Sequence, residues 1–108
     1  MASDETRLER IADTEGGERL ANEHIVKARR DGDSFKVRCE CGDPLCHDPL
    51  ELSEELYERV RSDSMLFVVA PGHELPEAEN VVETQDGYEI VRKHEEMRAV
   101  VERSDPRT

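Results

Sequence analysis

Three cysteines fall within eight residues, in the run Cys39-Glu40-Cys41-Gly42-Asp43-Pro44-Leu45-Cys46-His47. Sulfurs this close can be reactive thiols, half-cystines or metal ligands. An odd count of three argues against a closed disulfide framework. Buried or reactive cysteines without a metal are the reading for a lone thiol, and three beside turn residues fit it poorly. Metal ligation accounts for the spacing. Along an extended strand residues i and i+2 lie on one side, so Cys39 and Cys41 can aim both sulfurs at one point. Gly42 permits a turn with positive φ, and Asp43-Pro44 folds the chain back to bring Cys46 within reach.

A structural zinc ion takes four tetrahedral ligands, mostly Cys and His, so three thiolates leave one place to fill. His73, in Pro71-Gly72-His73-Glu74 at the end of an apolar run, can project its ring across the fold and is the preferred fourth ligand. His47 is the local alternative, although ligands at adjacent positions 46 and 47 would strain a tetrahedron. His94 begins a helical stretch and reads as a surface residue. His24 lies on an apolar helix stripe and reads as a core histidine. Iron–sulfur ligation normally takes four cysteines and is the weaker choice.

The elements that must position these residues follow from periodicity. Residues 5–30 read as helical, with Leu8, Ile11 and Ala12 as one apolar stripe and Leu20, Ala21, His24, Ile25 and Ala28 as a second. Gly16-Gly17 between them costs about 1 kcal/mol per glycine, which predicts a break. Asp31-Gly32 suits a C-cap. Residues 34–39 alternate as a half-buried strand, and Pro49-Leu50-Glu51-Leu52 can return beside it. Ser53 is an expected N-cap with Glu54 and Glu55 in the first turn, and Leu52 with Tyr57 fits a hydrophobic staple. Leu66-Phe67-Val68-Val69-Ala70 reads as a buried strand. A hairpin over 80–84 and 88–92 turns at Gln85-Asp86-Gly87, a helix follows over 94–103, and Asp105-Pro106 marks the end of order.

The predicted architecture is α+β. It comprises an N-terminal helical arm, a small zinc-stapled β-hairpin/helix unit, short antiparallel strands and a C-terminal helix. Residues 1–18 are expected to form a flexible or loosely helical arm, 19–103 a single small zinc-binding domain and 104–108 a disordered tail. A chain of 108 residues with 35% hydrophobic residues and only four aromatic rings has a thin core. Small folds of this kind often add a metal.

Charge narrows the partners. Residues 39–90 carry −12, equal to the net charge of the whole chain. Such a body repels phosphate backbones, so nucleic-acid binding is disfavoured. The exception is the basic stretch Lys27 to Arg30 with Lys36 and Arg38, which reads as a solvated helix end complementing the dipole. No run approaches the ~20 apolar residues of a membrane span, and the N-terminus lacks the pattern of a signal peptide, so a cytoplasmic location is expected.

Through Asn22-Glu23-His24-Ile25, Cys39-Glu40-Cys41-Gly42-Asp43 with Cys46, Leu52 with Tyr57-Glu58-Arg59-Val60-Arg61, and Phe67-Val68-Val69-Ala70-Pro71-Gly72-His73-Glu74, the sequence resembles a family of small actinobacterial proteins. The likeness continues through Val81-Val82-Glu83, Tyr88-Glu89-Ile90-Val91 and the tail Ser104-Asp105-Pro106-Arg107, covering about residues 20–108. In that family a residue other than histidine stands at the place of His47, which makes Leu45-Cys46-His47 a local departure. The resemblance implies His73 as fourth ligand. It implies no activity.

Three functions follow as expectations. The first is a non-catalytic zinc module, binding Zn2+ through Cys39, Cys41, Cys46 and His73 and serving an unidentified protein partner or a regulatory role. The second is a thiol/zinc redox sensor, in which oxidation of the thiolates ejects the metal. The third is a small zinc hydrolase using Glu74 or Glu40 as base. No P-loop, nucleophile elbow or H-E-x-x-H accompanies it, and three thiolates make zinc a poor Lewis acid.

Overall fold

A computed structural model describes residues 4–28, 35–43, 45, 46 and 48–107. Helix α1 (Asp4–Ala28) leads to strands β1 (Phe35–Arg38) and β2 (Pro49–Leu52), then helix α2 (Glu54–Arg61) and strands β3 (Leu66–Val69), β4 (Glu79–Gln85) and β5 (Tyr88–Lys93). A 3₁₀ turn, Glu95–Met97, opens into helix α3 (Arg98–Arg103). The class is α+β, as expected.

Two small antiparallel sheets carry the chain. One pairs β1 with β2, Val37 opposite Leu50 and Arg38 opposite Pro49. The other has the order β3-β5-β4, with a register shift between Val81 and Glu83. Neither could bury much alone. The segment after β1 joins them by lying along the outer edge of β3. Glu40 N–H donates to the Val68 carbonyl at 2.8 Å, and Val68 N–H donates to the Glu40 carboxylate at 3.1 Å. The edge of β3 is thereby closed rather than left open. Val37, Leu52, Tyr57, Phe67, Val68 and Val101 form the centre of a single core across both sheets.

The start of α2 follows its sequence. Ser53 Oγ accepts from Leu56 N–H at 3.1 Å, Glu54 and Glu55 occupy the first turn, and Leu52 and Tyr57 are both buried. The β4–β5 hairpin turns on Asp86-Gly87, with Gly87 at φ 88°.

Helix α1 departs from expectation in two ways. It runs unbroken through Gly16-Gly17. A Cβ at Gly16 would lie 3.1 Å from Ser104 Cβ, so this glycine lets α1 approach the end of α3, and tertiary contact offsets the weak propensity. The buried face also differs. It follows Leu8, Ile11, Ala12, Glu15, Arg19, Asn22 and Val26, while Leu20 is 47% exposed and His24 is exposed. The helical period is intact, but Glu15, Arg19 and Asn22 continue it with polar side chains.

Several of the buried polar side chains have specific partners. Arg19 donates to the carbonyls of Ser64 and Val101 at 2.7 and 3.1 Å and stacks on Phe67, 4.3 Å from the ring centroid. Asn22 pairs with both backbone groups of Arg38. Glu23 accepts from Tyr57 Oη at 2.5 Å and from Arg107. Lys93, fully buried, contacts Glu15 and lies 2.5 Å from Glu79. Burial, only partly opposed by Lys93, pushes the Glu15 carboxyl up to about 8, which favours its protonated form at neutral pH.

Residues 104–107, expected to belong to a disordered tail over 104–108, make specific contacts with the domain. Asp105 is 6% exposed and pairs with buried Arg61 at 2.9 Å, and Arg107 clasps Glu23 and Glu58. Asp31-Gly32, read as a C-cap, lies outside the described residues, as do Arg29 and Arg30 of the basic stretch. Within that stretch Arg38 is paired with Glu18 at 2.9 Å. No helix among the described residues is long and apolar enough to cross a membrane.

Candidate metal centre

Cys39 and Cys41 leave the end of β1 on the stretch that lies along β3. Cys46 follows a tight turn, in which Cys46 N–H donates to the Asp43 carbonyl at 3.0 Å and Leu45 N–H to Asp43 Oδ1 at 2.9 Å. This is an Asx-supported turn. Gly42 is needed for a reason other than the expected one. Its φ is not positive; a Cβ there would meet Ile11 Cγ2 at 2.8 Å and Leu75 Cδ1 at 2.9 Å. The missing side chain lets the loop press onto α1.

The positive φ lies on the other side of the site. Beyond β3, Ala70-Pro71-Gly72-His73 closes with His73 N–H donating to the Ala70 carbonyl at 3.0 Å, and Gly72 has φ 84°. Proline followed by a positive-φ glycine is the residue pattern of a type II turn. It reverses the chain at the end of a buried strand and turns the His73 ring back toward the cysteines.

Ligand atoms of Cys39, Cys41, Cys46 and His73 all lie within 4.8 Å of one another. His73 Nδ1 is 3.6 Å from Cys39 Sγ and 3.4 Å from Cys46 Sγ. A tetrahedral ion with Zn–S near ~2.3 Å and Zn–N near ~2.0 Å has S···N edges of about 3.5 Å. The distances from His73 to Cys39 and Cys46 bracket that edge, and the four residues could hold one metal ion. The cysteines are free and buried, at 0, 3 and 9% exposure for Cys39, Cys41 and Cys46, and His73 is half-buried.

Backbone amides complete the sulfur environment. Ala70 N–H donates to Cys39 Sγ at 3.1 Å, and the Asp43 amide faces Cys41. Such donors favour thiolate. Without a cation, however, burial and the neighbouring thiols push Cys39 far above its ordinary range, and burial raises Cys41 as well. A bound cation removes this penalty by neutralising charge in place.

The remaining candidates stand elsewhere. His94 lies beside Glu96 and His24 is exposed on α1, so neither enters the cluster. His47 lies outside the described residues. Glu40, a candidate base and surface carboxylate by sequence, is fully buried and faces away from solvent chemistry, bonded to Asn22 Nδ2 at 2.8 Å and to Val68 N–H. Glu74 meets the Glu89 carboxyl, and burial together with that contact raises Glu89.

One residue absent from the sequence reading touches the centre. Asp48 Oδ2 lies 3.6 Å from His73 Nε2. Its only linear signal is position: continuing the β1–β2 register places Asp48 opposite Cys39, and Cys39 N–H donates to the Asp48 carbonyl at 2.8 Å.

No family model matches the chain, and no curated protein or solved structure is significantly similar to it.

Proposed function

We propose that this chain is a small non-catalytic zinc protein, a protein-interaction or regulatory module whose fold is fastened by Zn2+ on Cys39, Cys41, Cys46 and His73. The observation that carries the reading is the convergence of these four ligand atoms within 4.8 Å. They come from the end of β1, the Asp43 turn and the turn beyond β3. A metal here ties the two-stranded sheet to the three-stranded one, where hydrophobic area alone is scarce.

Three thiolates and one imidazole suit zinc in softness, number and geometry. The set is full at four ligands, whereas catalytic zinc sites hold one position open for water. The sequestration of Glu40 supports the same reading against hydrolysis, since a general base must reach solvent or substrate. Burial of all three sulfurs supports a fastener over a redox sensor, because thiolate oxidation follows exposure.

Metal analysis of protein purified without added zinc tests the proposal. About one equivalent of zinc is expected, and stripping it with a strong chelator should abolish the cooperative melt, as in small zinc domains. Metal-free protein with an unchanged melt would refute it. Dilute peroxide should leave the zinc in place; rapid release would favour the redox sensor instead.

A further inference from the structure

Building on that zinc reading, we infer that Asp48 is a positioning residue, holding the His73 ring so that Nδ1 faces the metal and Nε2–H faces a carboxylate. His73 presents its two ring nitrogens to different neighbours. Nδ1 looks at Cys39 and Cys46 sulfur, and Nε2 looks at Asp48 Oδ2. Metal-bound histidines usually donate their other N–H to a carboxylate or carbonyl, which sets ring orientation and raises ligand basicity. The arrangement here has the right polarity. With Nδ1 on a cation the proton resides on Nε2, on the side of the ring that Asp48 Oδ2 approaches.

Asp48 is itself well placed to orient another group. Its carbonyl accepts from Cys39 N–H, so its backbone is locked in register with a ligand, and Pro49 next to it begins β2. The carboxylate and Cys39 sulfur thus approach His73 from paired positions of one hairpin. The three cysteines are buried, while the Asp48 side chain is 59% exposed. Asp48 is therefore the part of the centre that can be changed without opening the core.

The test is zinc affinity by competition with a chromophoric chelator, for wild type, Asp48→Asn, His73→Ala and the double variant, with Asp86→Asn as a charge control on the distant β4–β5 turn. Loss of a carboxylate behind a ligating histidine typically weakens metal binding about 10–100-fold. That loss is expected for Asp48→Asn in the wild-type background. In the His73→Ala background it should shrink to less than about 3-fold, because the residue acts through the ring. Asp86→Asn should change little. Equal losses in both backgrounds, or none in wild type, would overturn the positioning role while leaving the zinc reading intact. A wild-type protein that binds no zinc would overturn both.

Discussion

Cys39 Sγ and His73 Nδ1 lie 3.6 Å apart although 34 positions separate them along the chain. The contact exists because Cys39 lies on the outer edge of β3 and His73 follows the turn at that strand's end. A bond from each to a common ion would close a long loop and cross-link two sheets.

Substitution should show which residues belong to that cross-link. Cys39→Ser, Cys41→Ser, Cys46→Ser and His73→Ala are each expected to lower zinc content and melting temperature together. His47→Ala should lower neither. Zinc content and melting are read on the same samples. If His47→Ala loses zinc and His73→Ala keeps it, the fourth ligand has been misassigned.

Stability should decline toward alkaline pH through Glu15. Its carboxyl titrates near 4.5 when unfolded and about 8 when folded, because burial disfavours the charged form. A raised folded value means the contribution is complete below 4.5 and is lost as pH rises through about 8. Across that window each pH unit removes up to about 1.4 kcal/mol. Glu15→Gln should flatten the melting temperature between these limits relative to wild type. Parallel curves for the two proteins would show that Glu15 does not set the slope.

The chain's end should contribute measurably to stability. Asp105→Ala leaves Arg61, 0% exposed at its side chain, without this carboxylate. Breaking a buried pair by removing one partner typically costs about 3–5 kcal/mol. Urea denaturation of the zinc-loaded variant measures it. A cost under about 0.5 kcal/mol, the usual range for surface substitutions, would mean that the tail is dispensable.

Local signals made much of this protein legible. Ser53 with Glu54 and Glu55, the Asp86-Gly87 turn and the alternation of β1 each act over a few residues, and each is found where the sequence puts it. The cysteine cluster was legible for the same reason, since its three members share one short stretch. Pro71-Gly72 before His73 announced a turn, and a turn at a strand's end can send a side chain across a fold.

The buried face of helix α1 is not legible in its apolar residues alone. Glu15, Arg19 and Asn22 continue the stripe of Leu8, Ile11 and Ala12, but a buried polar group is recognisable only when its partner is known. Those partners, Lys93, the Val101 carbonyl and Glu40, lie far along the chain. Gly42 was assigned a backbone role and has a packing role, for Ile11 meets it only in the folded state.

The sequence by itself determined the chemistry on offer: three clustered thiols, a histidine on a turn, an acidic body and a core too thin to be generous. Local conformational preferences and side-chain chemistry need no knowledge of distant residues. Tertiary structure alone decided how closely His73 approaches the cysteines, that Asp48 lies beside its ring and that Glu40 is buried. Those outcomes depend on strand register and on desolvation, and both are properties of the assembled fold.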